Sequence, residues 1–416
     1  MNASPYFSVV LSTYARGKHI IPTIESVLRQ SYADFELIVV GDGCKDETAE
    51  VVGGYASRGV RWHNLDSNCG SQSAPNNFGI AQATGDWIAY VGHDDIWAPD
   101  HLERLRNLIT SADDLDFAVS GCIYYGPKDT DLYYVTGMFD CESAPLNHFF
   151  PPASLAHRKE VVDRIGGWRD PRAVVAPVDC DFLLRAANAG LRFSSTMQVT
   201  AHKFAAGHRY LCALRPSSDE QWTALSDATI PRDSLAAKIE KSRQQGHFMT
   251  MCYPDFSRFE TAELFNQNRS NKGFNRPELK DLRGRVVIEQ TGEPRALDWY
   301  PLEHGARPYR WSGPNPKPRI LIPYTSSRDV RITLRLPTVK VARPVRIAVN
   351  DRLVAHEIRS GDRSSAAVLQ APLNRSDYSI LTLHTPQMFC PDKLSGNGDR
   401  RNLGIAVSDI IIEPLD

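Results

Sequence analysis

No apolar run in this chain approaches the roughly 20 residues that a membrane-spanning helix needs. Its first residues, MNASPYFSVV, have neither the basic region nor the long apolar stretch of a secretory leader. Both absences predict a cytoplasmic protein without a transmembrane segment. Charge of one sign is lacking too: 48 Lys and Arg stand against 49 Asp and Glu, a formal net charge of -1. That removes any general pull towards nucleic acid, and the same holds for an anionic membrane surface. The eight cysteines (Cys44, Cys69, Cys122, Cys141, Cys180, Cys212, Cys252, Cys390) contain no CxxC pair. Their scatter excludes a cysteine-rich zinc site and predicts free thiols in a reducing compartment rather than a disulfide framework. No internal repeat or low-complexity tract is evident.

What is present is an ordinary globular composition, 42% hydrophobic and 23% charged, over 416 residues. That length is more than one core usually supports, so two or three domains are expected. From Phe7 the chain alternates strand and helix signals. Phe7–Leu11, Phe35–Val40, Val60–His63 and Trp87–Val91 are short apolar runs. Between them lie helical patterns at Ile20–Leu28, around Val51 and Val52, and from Pro99 with Leu102, Leu105, Leu108 and Ile109 on one face. Alternation of this kind predicts a parallel, Rossmann-like sheet with helices on both faces. Ligands of such sheets bind outside the carboxyl ends of the strands.

Three polar loops fall at those ends: Ser12–Gly17, Gly41–Asp46, and the turn Gly92-His93-Asp94-Asp95. Two adjacent carboxylates after a buried strand suit a hard divalent cation that holds a diphosphate, with water and phosphate completing its shell. Asp in a turn before a helix also serves as a cap, and both readings stand on this stretch alone.

SVVLSTYARG, TIESVLRQSYADFELIVVGDGCKDET, NCG and NNFGIAQATGDWIAYVGHDD occur in that order over the first 210 or so residues. Together they resemble the inverting GT-A glycosyltransferases of glycosyltransferase family 2, which use nucleotide-diphosphate sugars. The resemblance implies a GT-A fold and a site that can be placed residue by residue. Thr13 and Tyr14, with Arg16 beyond them, follow the first strand, where the family cradles the nucleobase. Asp42 matches the second acid of the family's Asp-Asp-Gly loop, and Gly41 replaces the first. Asn68 and Asn77 match positions bordering the nucleotide, and Asn76 stands where Arg is frequent. Asp94 matches the metal-binding acid, with His93 and Asp95 beside it, and Gly92 replaces the acid that usually begins that motif. The implied cofactor is a divalent metal, Mn²⁺ or Mg²⁺.

After a less regular stretch, Arg158–Ile165 reads as a helix stopped by Gly166-Gly167. The next helix begins near Asp179, which the resemblance matches to the catalytic base; Val178 replaces its usual Glu neighbour. An inverting transfer needs one carboxylate to take the proton of the attacking hydroxyl. A helix-capping role for Asp179, with Asp181 as a first-turn acid, is the other reading of the same position. Downstream, the resemblance implies that His202 closes over the metal, with Lys203 or Arg209 as phosphate partners, next to His208.

Residues 215–283 read as a helical connector, with helical pattern at Leu235–Gln245 and Phe259–Phe265. From 284 to 416 the texture changes to short β segments: Val286–Glu289, Ile320–Pro323, Val330–Leu336, Val345–Val349, Val354–Ile358, Ala367–Ala371, Ile380–His384 and Leu403–Ile412. They predict an antiparallel β-sandwich, jelly-roll-like, with a carbohydrate-binding or homo-oligomer contact role. Trp299, Tyr300, Tyr309 and Trp311 precede its main strands and are read mostly as packing. The domain scheme is therefore 1–214 catalytic, 215–283 connector and 284–416 sandwich. The expected activity is transfer of a sugar from a nucleotide-diphosphate donor, a UDP-sugar favoured, to a glycan or lipid-linked acceptor, with room for peripheral membrane contact. Nucleotidyl transfer is opposed by the lack of a Gly-rich triphosphate loop with a basic residue. A non-catalytic nucleotide-sugar-binding protein is the reading that the acid losses at Gly41, Gly92 and Val178 favour.

Overall fold

The structure is a computed structural model. It describes all of the chain except residues 1–3, 113, 127, 129–130, 140–147, 205–208, 210–211, 213–215, 227–231, 250–259, 264, 267–268, 270–276, 290–298, 301, 306, 314–316, 338–344, 361–363, 386, 400, 402 and 416, and the side chains of residues 232 and 233. His208, Phe259 and most of 266–276 therefore lie outside the described residues. The chain divides into two compact units, 1–266 and 267–416.

In the first unit Phe7–Thr13 (β1), Phe35–Gly41 (β2), Val60–Asn64 (β3) and Trp87–Gly92 (β4) pair in parallel in the order β3-β2-β1-β4. The sheet continues through Ile96–Trp97 (β5), Phe117–Tyr125 (β6), Tyr133–Thr136 (β7), Leu155–Arg158 (β8) and Phe193–Lys203 (β9), in the order β4-β8-β6-β9-β5 with β7 on β6. The helices that matter here are α1 (Ile21–Leu28), α2 (Thr48–Gly53), α3 (Ser73–Gln82), α4 (His101–Ser111), α5 (Val161–Ile165), α6 (Val178–Asn188), α7 (Asp219–Ser226) and α8 (Arg232–Gln244).

The central strands read as continuous apolar runs because both faces of the sheet are covered. Side chains alternate across a strand, so Val9, Leu11, Val39 and Ala89 join one core, with Ile24 of α1 and Leu102 and Leu105 of α4. Val10, Ile38, Val40, Ile88 and Tyr90 join the other, with Ile80 of α3 and Phe182, Leu183 and Ala186 of α6. The sheet is mixed rather than wholly parallel: β8 runs antiparallel to both β4 and β6, while β6 and β9 are parallel. Two corrections follow. The stretch expected to be irregular holds β6, β7 and β8, and the helix expected from Arg158 starts at Val161, Arg158 being the last residue of β8. In FAVSGCIYY only Ser120 and Gly121 interrupt an apolar run, and eight of its nine residues are buried. Among the described residues no helix is long and apolar enough to cross a membrane.

The second unit is built of antiparallel strands in two main sheets. One has the order 286–289, 409–414, 329–336, 365–372, 356–360; the other 319–322, 379–384, 346–349, 352–354. Both contribute to a single core, with Val330, Ile332, Leu334 and Leu336 from one sheet and Ile320, Ile322, Leu381 and Leu383 from the other. This is the expected sandwich of paired sheets. Asn350 and Asp351 both have positive φ, 50° and 64°, as the two-residue turn between 346–349 and 352–354 requires. The segment expected as one strand, Val354–Ile358, is two: 352–354 pairs in the smaller sheet and 356–360 in the larger. Trp299 is buried in the core and donates its indole N–H to the Arg319 carbonyl, 3.1 Å.

Candidate active site

The parallel register aligns the carboxyl ends of three strands. Thr13 lies opposite Gly41, and Ser12 opposite Gly92. The three polar loops are therefore neighbours, and hydrogen bonds lock them together. The Asp42 backbone N–H donates to the Thr13 carbonyl, 2.8 Å. Thr48, at the start of α2, accepts from the backbone N–H of Arg16 (3.0 Å) and of Gly17 (2.8 Å) through its hydroxyl oxygen.

The Asp42 carboxylate is buried and accepts three hydrogen bonds. It accepts from the backbone N–H of Cys69 and Gly70, both 2.9 Å, and from the Asn68 amide, 3.0 Å. Asp42 and Asn68 are thus brought together, each bound to the other. Gly43 permits the close approach: its φ is +70°, and a Cβ there would lie 2.7 Å from the Asn68 backbone nitrogen.

Two of the three acids that the resemblance leaves missing, those at Gly41 and Gly92, have a steric account. A Cβ at Gly41 would stand 2.4 Å from Asn64 Oδ1 and 2.6 Å from the Trp62 ring. Asn64 uses its amide to clamp both the N–H and the carbonyl of Cys44, 2.9 Å each. A Cβ at Gly92 would stand 2.6 Å from Asp95 Oδ2. Neither position has room for an acid in this arrangement.

His93 and Asp94 are half-buried in the turn, and Asp95 is 1% exposed. Arg16 reaches Asp94 at 3.4 Å, and Lys203 reaches Asp95 Oδ2 at 2.9 Å. Burial pushes the Asp95 carboxyl up, and the Lys203 ammonium pulls against that. Burial likewise opposes the Lys203 charge, but Asp95 and Asp94 outweigh it and hold the ammonium well above the ordinary lysine range. Asp95 Oδ1 has no hydrogen-bond partner. Gln221 of α7 donates to the Asp94 carbonyl at 3.0 Å, while its own amide oxygen is buried without a partner.

The three residues expected to share a metal are not all brought together. His202 and Lys203 are consecutive on β9, so they point to opposite faces. Lys203 takes the Asp95 face; His202 packs away from it, with Nδ1 2.9 Å from the Tyr125 hydroxyl. Burial and then Lys238 push His202 down to about 4, so its ring is neutral. Arg209 forms a two-point pair with Glu220, 2.8 and 2.7 Å, and lies over the Phe204 ring. Among the described residues no group of three or more His, Cys, Asp or Glu is arranged to hold a metal ion.

Asp179 is the second residue of α6, and the helix N-cap is Pro177. Its carboxylate accepts from the Cys180 backbone N–H at 3.0 Å, and the residue is partly buried. Asp181 instead pairs with Arg185 at 2.9 Å and Arg169 at 3.3 Å. The loop before α6 is fixed from two sides. Asn77 of α3 exchanges two 2.8 Å hydrogen bonds with the Trp168 backbone, and Arg185 donates to the Gly167 carbonyl at 2.8 Å. Trp168 stacks on Phe182 at 4.8 Å and donates its indole N–H to Tyr90. Tyr90 donates in turn to Nε2 of His157, whose Nδ1 bonds the Arg158 carbonyl. Asn77 therefore positions the α6 approach rather than facing the strand-end loops with its amide.

Sequence reasoning did not single out Tyr124, Asn64 or Gln221. Tyr124, on β6, is 6% exposed and its hydroxyl has no partner. The register sets it beside Lys203. The apolar run around it was the available signal; nothing in the sequence marks Gln221.

Residues 8–168 match the model of a family described as Glycosyl transferase family 2. Glycosyltransferase GlyG of Streptococcus pneumoniae serotype 4 is 31% identical over 140 residues, 33% of this chain and 46% of that protein. An uncharacterized glycosyltransferase of Rickettsia typhi is 30% identical over 133 residues, 32% of this chain and 41% of that protein. The chain thus spans less than half the length of these relatives. A crystal structure of S. aureus TarS 1-349 in complex with UDP-GlcNAc is similar at a TM-score of 0.39 and 19% identity, over 48% of this chain and 58% of that one.

Proposed function

Because residues 8–168 match the glycosyl transferase family 2 model, we propose that this protein transfers a sugar, with inversion, from a nucleotide-diphosphate donor to a hydroxyl of a glycan or lipid-linked acceptor. A UDP-sugar is the favoured donor. The observation that supports the reading is the meeting of Thr13, Asp42 and the Asp94–Asp95 turn at one sheet edge, with Arg16 and Lys203 gathered on the acid pair. Nucleobase and ribose belong with the Thr13–Arg16 and Asp42 loops, and the diphosphate with the Asp94 turn.

Asp179 takes the proton of the attacking acceptor hydroxyl. Asp179 is only partly buried, as a base that meets an incoming acceptor must be. It stands in the first turn of α6, where the helix dipole favours its charge. Asp181 is held by two arginines, Arg169 and Arg185. Asp94 and Asp95, whose Oδ1 has no hydrogen-bond partner, would hold a divalent metal together with phosphate and water. When bound, it neutralises the departing diphosphate. Arg16 and Lys203 orient the same turn.

Thermal shift with UDP-, GDP- and other nucleotide-sugars, with and without Mn²⁺, tests this. A ligand that binds only the folded chain stabilises it by about 2.7 kcal/mol at 100 times its Kd. Absence of a shift with every nucleotide-sugar would remove the assignment.

A further inference from the structure

We propose that Tyr124 is a substrate-contacting residue whose hydroxyl donates a hydrogen bond to the sugar being transferred, between the Asp94–Asp95 turn and Asp179. The inference rests on the donor and base assignments above. Three tyrosines of this unit make the contrast that carries it. The Tyr90 hydroxyl bonds His157 at 2.7 Å, and the Tyr125 hydroxyl bonds His202 at 2.9 Å. Tyr124, next in sequence to Tyr125, points to the opposite face, is as deeply buried, and has no partner for its hydroxyl. A fold that needed only the ring would be served equally by Phe, since an unmatched buried hydroxyl is destabilising.

Its place on β6 sets it beside the acid pair's cation. Tyr124 lies opposite Lys203 in the β6–β9 register, and Lys203 is 2.9 Å from Asp95. Burial raises the phenol well above its ordinary range, and the nearby Asp179 and Asp95 carboxyls add to that. The group therefore stays a neutral O–H donor, within electrostatic reach of both the diphosphate-side acid and the proposed base. In an inverting transfer the base and the departing diphosphate lie on opposite sides of the reacting carbon, and the sugar ring is what stands between them. Its hydroxyl oxygens are acceptors for a buried phenol.

The test compares the full-length wild type with Tyr124→Phe and, as a structural control, Tyr125→Phe. Calorimetry uses UDP, GDP, UDP-N-acetylglucosamine, UDP-glucose, UDP-galactose and GDP-mannose, alongside the melting temperature of each free protein. Tyr124→Phe is expected to weaken the nucleotide-sugar that wild type binds by about tenfold, the worth of one hydrogen bond. Affinity for the matching nucleoside diphosphate should stay within about twofold, and the melting temperature should not fall. Tyr125→Phe should lower the melting temperature with no selective loss of the sugar. Equal loss of nucleoside diphosphate and nucleotide-sugar in Tyr124→Phe, or no loss of either, overturns the proposal while leaving the donor assignment intact. A wild type that binds none of the six ligands overturns the donor assignment itself.

Discussion

The two units treat buried polarity in opposite ways. Among the described residues, all eleven buried side-chain nitrogen or oxygen atoms that have no hydrogen-bond partner lie in 1–266, and none lies in 267–416. Four of them, on Thr13, Asp95, Tyr124 and Gln221, border the same strand ends. In the sandwich, by contrast, the Asn350 amide bonds both Asn374 and Ser379, and Ser312 accepts from the Ile405 backbone. Leaving a buried polar atom unmatched costs about 1–3 kcal/mol. A unit that carries several at one edge is stabilised when a ligand supplies partners; the described buried polar atoms of the sandwich already have theirs.

Acid should separate the units most. His101, His157 and His202 are all buried in the first unit, and burial lowers them to about 3, about 4 and about 4. The unfolded chain therefore binds more protons below pH 6.5. The stability that neutral burial contributes is present above that pH and is lost as pH falls towards 4. At pH 5 each histidine accounts for roughly 2 kcal/mol. In the second unit His384 is also pushed down by burial, then Lys317 and Arg346, but it is only half-buried. Hydrogen exchange by segment, corrected for intrinsic rates, should show β1, β4 and β6 losing protection before 329–336 and 365–372. Simultaneous loss would erase the distinction.

The second expectation concerns chemistry without stability. Asp179→Asn keeps the shape of the side chain but cannot accept a proton. If Asp179 is the base, transfer falls by about 10²–10⁴-fold. The melting temperature should barely move, because Asn keeps the side chain's shape, the helix N-cap is Pro177, and the lost charge–dipole contact is worth about 0.3–1 kcal/mol. Near-normal turnover by Asp179→Asn would take it out of the mechanism and leave Asp181 as the next carboxylate to try.

Charge pairs sharpen the contrast at smaller cost. Lys203→Met leaves Asp95, 1% exposed, without its ammonium. Breaking one side of such a buried pair costs about 3–5 kcal/mol, towards the lower end here because Lys203 is only partly buried. In the sandwich, Asp409 has two arginines, Arg307 and Arg335, both substantially exposed. Arg335→Met should cost less than about 1 kcal/mol. Denaturant titration of the two variants decides it, and equal losses would contradict the ranking.

The sequence made the same division legible, but unevenly. β1, β2 and β4 could be read because strands buried on both faces are apolar without interruption, and their polar loops then fall at one edge by register. The strand 329–336 could be read from strict alternation. β6 was hidden because Ser120-Gly121 breaks its run at the point where β9 shifts register. The turn at Asp94 and the start of α6 at Asp179 were placed correctly in the chain. Their partners were not, because which cation meets which acid depends on side-chain direction: Lys203 meets Asp95 and His202 turns away through alternation along β9. The spacing of residues also says nothing of why Gly41 and Gly92 lack acids; only the positions of Asn64 and Asp95 do.

The smallest effect expected is none at all. We propose that residues 1–266 bind the donor nucleotide by themselves, since every proposed contact lies before residue 210. Each unit has a hydrophobic core of its own: Leu11, Leu37 and Trp97 belong to one in the first, and Ile332, Leu369 and Ile410 to that of the second. A 1–266 fragment should therefore fold, and its Kd for UDP should match that of the full chain within about twofold, or about 0.4 kcal/mol. The 267–416 fragment should fold as well and show no UDP binding. A soluble, folded 1–266 fragment that fails to bind a nucleotide the full chain binds would mean that the sandwich contributes to the donor site, and the division of labour between the units would be wrong.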